Sequence, residues 1–339
     1  MPLTQVSPGL LDSNAQYYGF KNRIINGGMG IFQRNTAATV SGNYCLDRWT
    51  LVKSNTASTT TTQVTDAPPG FQNSMRMTVS VADTSVGAAE YELLRQIIEG
   101  FNISDFAFGS ASATPITLSF WVKSSVAGLY CGSLTNGYTE DRILPFSYTI
   151  NSSNTWEFKS ISLPGNTSAT GTAWNVTNGP GLILNFYQQL GSNFTGGTAG
   201  VWGTAPNYGV TGGVNLLATV GNIFAITGVQ LEKGSTATSF DYRPYTTELQ
   251  LCQRYYARTF GYSGLTGSGA ELSGTVYGSV QMRSVPTLTA VVQEGGPTGL
   301  NGLDQQNNNS NMICRWWVSS GAKGSPGYIV WNGTASAEL

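Results

Sequence analysis

No histidine occurs anywhere in this chain, and that absence decides much of what its polar residues can do. Ser-His-Asp and Cys-His nucleophiles, H-E-x-x-H centres and His-ligated zinc all need an imidazole, so each is excluded. Carboxylates remain. A glycosidase needs two of them facing each other across a cleft, and Glu99, Asp105, Glu140 and Asp141 are the candidates near a possible groove. A lone carboxylate in a β protein is more often a solvated edge charge or half of an ion pair. The expectation is therefore a protein without catalytic residues. Cys45, Cys131, Cys252 and Cys314 lie far apart with no C-x-x-C pair, which argues against a zinc cluster and against a compact disulfide framework. They read as buried free thiols of small apolar character. No bound metal and no cofactor are expected.

Sugar binding is the other chemistry open to these residue types, since aromatic faces take the apolar side of a pyranose while amides and carboxylates take its hydroxyls. Trp202, Tyr208, Trp174, Tyr130 and Tyr138 lie in Gly/Thr/Asn-rich stretches with little regular strand around them to pack into, and are the glycan-binding candidates. Trp49, Trp121 and Trp156 sit in strand-like contexts, where burial is the commoner outcome. Trp202 has a second reading, as a loop anchor folded back over the core. For any one of these aromatics a structural role ranks ahead of a binding one.

The elements that must position such side chains are strands. Of 339 residues, 42 are glycine and only 10% are charged, which suits short strands and tight turns and lacks the charged residues that solvate long helices. The formal net charge of -1 offers no basic field for a phosphate backbone, so nucleic acid is not an expected partner. No segment approaches the ~18 continuous apolar residues of a membrane span, so no membrane insertion is expected. The start, Met1-Pro2-Leu3-Thr4-Gln5, reads as lacking an export signal, which makes N-x-S/T sequons such as Asn166 and Asn193 chance matches.

Residues 1–19, with Pro2 and Pro8, read as an extended docking arm or a flexible terminus. Beyond them, Met75, Met77, Val79 and Val81 alternate with Arg76, Thr78 and Ser80, and Ile116, Leu118, Phe120 and Val122 alternate with polar neighbours, as do Leu182, Leu184 and Phe186. Each predicts a strand with one buried face. From Trp156 and Phe158 the apolar phase shifts to Ile161 and Leu163, which predicts a bulge or bend. Ile223 to Glu232 predicts a strand that starts inside a sandwich and emerges at an edge, with Gln230 and Glu232 outward. Tyr91 to Ile98 is a helix by composition or a strand. Thr246 or Thr247 could cap a helix with Leu249, Cys252, Gln253 and Tyr256 on one face. Further strands are expected at 275–283, 287–292, 312–318 and 328–331, with a polar loop tip at 305–311. This last unit is small for its content of Trp316, Trp317, Trp331, Tyr277 and Met282, which suggests a core shared between subunits or packing against its own larger domain.

A further reading comes from motifs at the two ends of residues 20–256. Thr227-Gly228-Val229-Gln230-Leu231-Glu232-Lys233-Gly234 runs on to Phe240-Asp241-Tyr242-Arg243-Pro244 and Leu251-Cys252-Gln253-Arg254-Tyr255-Tyr256. Its early counterpart is Asn22-Arg23-Ile24-Ile25-Asn26-Gly27-Gly28-Met29, then Ile31-Phe32-Gln33-Arg34 and Asp47-Arg48-Trp49. With Thr117–Lys123, Asn154–Phe158, Leu163–Gly165 and Gly181–Leu184 between them in order, the chain resembles the carbohydrate-binding-module-like jelly roll of bacteriophage tail fibres and related virion appendages. With the readings above, the resemblance, which covers about residues 20–256, gives an all-β chain: a docking arm (1–19), a jelly-roll β-sandwich (20–245), a helical connector (246–258) and a C-terminal β domain expected at a subunit interface (259–339). It favours a strand for Tyr91–Ile98. Asp47, Arg48, Trp49, Glu232, Arg243 and Arg254 read as an architectural signature, with Arg243 and Arg254 expected to pair with Glu232, Asp241 or Glu248, since a guanidinium forks well onto a carboxylate. The resemblance further implies a homotrimer on a virion, assembled in the host cytoplasm, that contacts other tail or capsid proteins and attaches weakly and multivalently to a host surface glycan. A purely structural virion protein (head decoration, head fibre or tail adaptor) is the alternative. A polysaccharide depolymerase is the second alternative; such enzymes commonly resemble repeating β-helices, and no fixed-period repeat is visible here. Jelly rolls of this kind often hold a calcium ion near the first strand, where this chain has Gly27-Gly28 instead of an acidic residue.

Overall fold

The structure, a computed structural model, describes residues 20–137, 139–264, 272–276, 280–284, 286–293, 300–307, 314–320 and 328–339. The expected arm at 1–19, Tyr138, residues 308–311 of the expected loop tip, and the side chains of Tyr277, Trp316, Trp317 and Trp331 behind the shared-core expectation lie outside the described residues. The chain divides into two compact units, Met1–Arg243 and Pro244–Leu339. Among the described residues no helix is long and apolar enough to cross a membrane.

The first unit runs through β1 (Tyr44–Leu46), β2 (Trp49–Lys53), β3 (Ser58–Val64), β4 (Ser74–Val81), β5 (Tyr91–Glu99) and β6 (Ile116–Ser124). It continues through β7 (Gly128–Asn136), β8 (Ile143–Ile150), β9 (Glu157–Leu163), β10 (Pro180–Leu190) and β11 (Ile223–Lys233). These form a six-stranded sheet, order β1-β2-β5-β10-β7-β8, and a five-stranded sheet, order β3-β4-β11-β6-β9. All pairings are antiparallel. From β5 onward the chain crosses repeatedly between the sheets, the jelly-roll arrangement of a β-sandwich. The alternation read from the sequence supplies the core: Met75, Met77, Val79, Leu118, Phe120, Val122, Leu182, Leu184 and Phe186 are all buried. Phe120 packs edge-on against Tyr148 and Phe186 at ring separations of 5.0 and 5.1 Å. Tyr91–Ile98 is a strand and not a helix, because it lies between β2 and β10 with Leu94 and Ile98 inward.

The two halves of the signature meet although about two hundred residues separate them. Residues 22–27 lie along β11, with Arg23 N donating to Leu231 O at 2.8 Å and Val229 N to Gly27 O at 3.0 Å. Asn22 sits between them: its Oδ1 accepts from Ile24 N and Leu231 N, and its Nδ2 donates to Val229 O. A Cβ on Gly27 would lie 2.1 Å from Val229 O, so only glycine permits this approach. Arg243 Nη1 donates to Ile24 O, and its Nε lies 3.4 Å from Asp241 Oδ2. Of the expected pairings, Arg243 therefore takes Asp241. Asp47 accepts from the backbone and side-chain amides of Gln33, Arg48 Nη2 donates to Ile97 O, and Trp49 Nε1 donates to Asn26 O.

Three strand expectations are corrected. β11 does not emerge at an edge; Gln230 and Glu232 are buried. Residues 238–241 fold over them, with Asp241 N donating to Gln230 Oε1 and Thr238 N to Glu232 Oε1. β9 pairs with β6 without any register shift. Phe158 is exposed on the outer face while Ile161 packs on the core, so the phase change reflects an outward aromatic and not a bulge. Trp121 and Trp156 are half-buried on that outer face and are not core residues, whereas Trp49 is fully buried.

In the second unit, α1 (Tyr245–Gln253) is capped at Pro244 and not by Thr246 or Thr247, which fall inside its first turn, and Tyr256 belongs to the next strand. That strand is β12 (Tyr256–Gly264), followed by β13 (Leu272–Val276), β14 (Thr287–Gln293), β15 (Leu300–Asn307), β16 (Cys314–Ser320) and β17 (Tyr328–Ser336). They make two three-stranded sheets, β12-β17-β14 and β13-β16-β15. β12 and β15 escape the sequence pattern because glycines and polar residues break their alternation. β15 also takes in 305–307, which the sequence placed in a loop tip. Of the expected 275–283 strand, residues 280–283 lie outside any strand, and Met282 is buried there. Arg254 N donates to Gln250 O.

Candidate functional site: a groove on the six-stranded sheet

Strand register assembles the floor of a groove on the outer face of the six-stranded sheet. Thr50, Arg95, Asn185 and Ser133 are cross-strand partners on β2, β5, β10 and β7. Two residues along, Val52, Leu93, Tyr187 and Cys131 form the next rung on the same strands. Opposed residues share a face, and the core side is taken by Leu51, Leu94, Phe186 and Leu134, so both rungs point away from it.

The first rung is a chain of hydrogen bonds. Arg95 Nε donates to Asn185 Oδ1 at 2.8 Å, Asn185 Nδ2 donates to Ser133 Oγ at 3.1 Å, and Ser133 Oγ bonds the Tyr187 hydroxyl at 2.9 Å. At the groove side, Arg95 Nη2 lies 3.2 Å from Glu140 Oε1, both side chains one-fifth exposed. One wall is aromatic: Tyr91 packs edge-on against Phe194 and Phe194 against Tyr208, at 5.6 and 5.9 Å. Together with Val52, Leu93 and Leu190 these groups enclose about 380 Å³. A second hollow of about 280 Å³ shares Tyr187 and Leu190 with it and extends past Cys131 towards Asn215.

The loop after β10 closes this face because glycine lets it lie flat. A Cβ on Gly209 would fall 2.5 Å from Leu190 Cδ2 and 2.8 Å from Cys131 Sγ. Burial raises the Tyr208 phenol well above its ordinary pKa, and Glu140 adds to the effect, so this hydroxyl remains a proton donor. Burial likewise raises the Tyr187 phenol and pushes the Cys131 thiol up to about 11, which leaves no reactive thiolate in the hollow. Cys45, Cys131 and Cys252 are buried, as expected, and take part in no disulfide among the described residues.

Of the four aromatic candidates among the described residues, Tyr208 lines the main groove. Tyr130 is a correction: it is 1% exposed, in the core, with its hydroxyl 2.8 Å from Ser124 Oγ and donating to Val126 O. Trp174 is also a correction, buried and packed edge-on against Phe108 at 5.0 Å with Arg142 over its ring. Trp202 takes its loop-anchor reading: half-buried, it packs on Phe108 and Trp174 and donates Nε1 to Pro164 O at 2.9 Å. Tyr138 lies outside the described residues. Sequence reasoning missed Arg95, Asn185, Tyr187, Tyr91 and Phe194; the available signal was the period of β5, which puts Tyr91, Leu93 and Arg95 on one face.

The four carboxylates named from the sequence are dispersed. Glu140 lines the groove, Glu99 is buried, and Asp105 pairs with Arg23 at 2.8 Å. Asp141 accepts from Thr172 N, which leads in holding its carboxyl below the usual range. Among the described residues no three Cys, Asp or Glu side chains gather as a metal site.

No family model and no curated protein matches this chain. Among solved structures it is similar to the enzymatically active domain of tailspike protein 4 of bacteriophage CBA120, at 16% identity and a TM-score of 0.33. That match covers 62% of this chain and 21% of the other, so the chain spans about a fifth of that tailspike structure. The family 11 carbohydrate-binding module of Clostridium thermocellum, solved with a β-1,3-1,4-mixed-linked tetrasaccharide, is similar at 12% identity and a TM-score of 0.31, covering 60% of this chain and 99% of that one. A family 22 carbohydrate-binding module of the same organism gives 11% identity and a TM-score of 0.31, over 60% and 96% of the two chains. The chain is thus similar in structure, at low identity, to carbohydrate-binding modules and to a phage tailspike domain.

Proposed function

We propose that the groove holds a saccharide without transforming it, and that the chain serves as an attachment module of a virion appendage. The observation that carries the binding reading is the pairing of an aromatic wall, Tyr91, Phe194 and Tyr208, with a polar floor, Arg95 and Glu140, in which the buried Asn185 holds Arg95 in place from beneath. Rings of that kind take the C–H face of a pyranose while the floor orients its hydroxyls. What supports binding over hydrolysis is that Glu140, already engaged by Arg95, is the one carboxylate among the described residues that line the main groove, whereas hydrolysis calls for two across the bond. The virion and trimer elements rest on the motif order of the sequence. Weak single sites would then gain strength from several copies on one particle.

The test is a glycan array on the full chain, followed by calorimetric titration of the best ligand. Tyr208→Ala and Arg95→Ala should each weaken binding by about tenfold, ~1.4 kcal/mol, with unfolding still cooperative. Binding indifferent to both substitutions, or new reducing ends released from a bound polysaccharide, would overturn the proposal.

A further inference from the structure

The other broad face of the sandwich carries a second constellation. On the five-stranded sheet, Thr62, Arg76, Ala225 and Lys123 are successive cross-strand partners on β3, β4, β11 and β6. Two residues along, Thr227, Trp121 and Phe158 are partners on β11, β6 and β9. Met75, Met77, Phe120 and Val122 occupy the core side of these strands, so this set faces outward. With strands ~4.8 Å apart, Arg76 and Lys123 leave the sheet about 10 Å from each other, on either side of the small Ala225.

The side chains are held in place and still accessible. The Trp121 and Phe158 rings are 5.5 Å apart, and Phe158 is 49% exposed. Trp156 donates Nε1 to Asp66 Oδ1 at 3.2 Å, and Lys123 Nζ lies 2.7 Å from Asp66 Oδ2 and 5.8 Å from the Trp156 ring centre. Asp66 therefore fixes an indole and an ammonium together. Arg76 Nε, by contrast, is buried and has no hydrogen-bond partner among the described residues. Two cations against one carboxylate leave net positive charge beside three half-open rings.

A neutral sugar would use the rings and leave the guanidinium unmatched. A sugar bearing a carboxylate would use both, since a guanidinium forks onto a carboxylate and an aromatic face takes the pyranose ring. We propose that this face is a second binding site, that its ligand is a carboxylated polysaccharide lying along the sheet, and that Trp121 and Phe158 take the ring while Arg76 takes the carboxylate. This site is independent of the groove.

The full chain would be titrated with polygalacturonate, alginate and hyaluronate as carboxylated probes, with a neutral glucan and with polyglutamate. At least one carboxylated polysaccharide should bind, and Phe158→Ala and Arg76→Gln should each weaken it at least tenfold. Tyr208→Ala in the groove should leave it unchanged, so failure here and failure of the groove are read separately. The proposal is overturned if none of the three binds, if neutral glucan or polyglutamate binds as tightly, or if the face variants have no effect. It is also overturned if Phe158→Ala converts an oligomer into monomers by sedimentation, since the face would then be an interface between copies.

Discussion

Glu92 is a carboxylate inside the sandwich, fully buried, accepting hydrogen bonds from Thr59 Oγ1 and Asn55 Nδ2. Burial raises its pKa, and those two bonds oppose the rise without cancelling it. The folded state thus keeps the proton to higher pH than the unfolded chain does. Its contribution to stability is most favourable below the ordinary glutamate range and declines as pH rises through the folded value. Glu92→Gln, which stays neutral, should therefore gain stability relative to the parent as pH goes from acid to neutral. Melting curves of both proteins across that range would check this; a difference independent of pH would mean that Glu92 titrates alike in both states.

At the scale of elements, the sandwich is closed by the segment of residues 22–27 lying along β11. That contact depends on Gly27, where a side chain would meet Val229 O at 2.1 Å, while a Cβ on Gly30 would meet nothing within 4 Å. Gly27→Ala should push the segment off the strand and cost its two backbone hydrogen bonds to β11, about 2 kcal/mol in total. Gly30→Ala should be close to neutral. Denaturant unfolding of the two variants separates them, and equal midpoints would show that the segment contributes little to stability.

At the scale of the whole molecule, every described residue that lines the groove precedes Arg243, where the first compact unit ends. A chain stopped after Arg243 contains both large sheets and the complete groove. It should fold and bind a monovalent glycan with a Kd within about twofold of the full chain, a difference below ~0.4 kcal/mol, as read by calorimetry. Its apparent affinity for a glycan-coated surface should fall if the removed unit supplies the oligomer, because avidity is lost while the single site is not. Loss of monovalent binding would place part of the site beyond Arg243.

What the sequence determined by itself was local. The period-2 runs through Met75–Val79, Leu118–Val122 and Leu182–Phe186 identified strands and their inward faces, because alternation is set by neighbours in the chain. The paired motifs at Asn22–Gly28 and Val229–Arg243 pointed to one module, and the fold joins them. The site was far less legible. Arg95, Asn185 and Ser133 come from three strands that become neighbours only through the order β5-β10-β7, and alternation states which residues share a face without stating which strands lie side by side. Loop coverage is equally non-local: Tyr208 and Trp202 sit in similar Gly-rich sequence, yet one lines the groove and the other folds onto Phe108 and Trp174. Only tertiary structure decided that difference, because exposure depends on what the rest of the chain places against a ring.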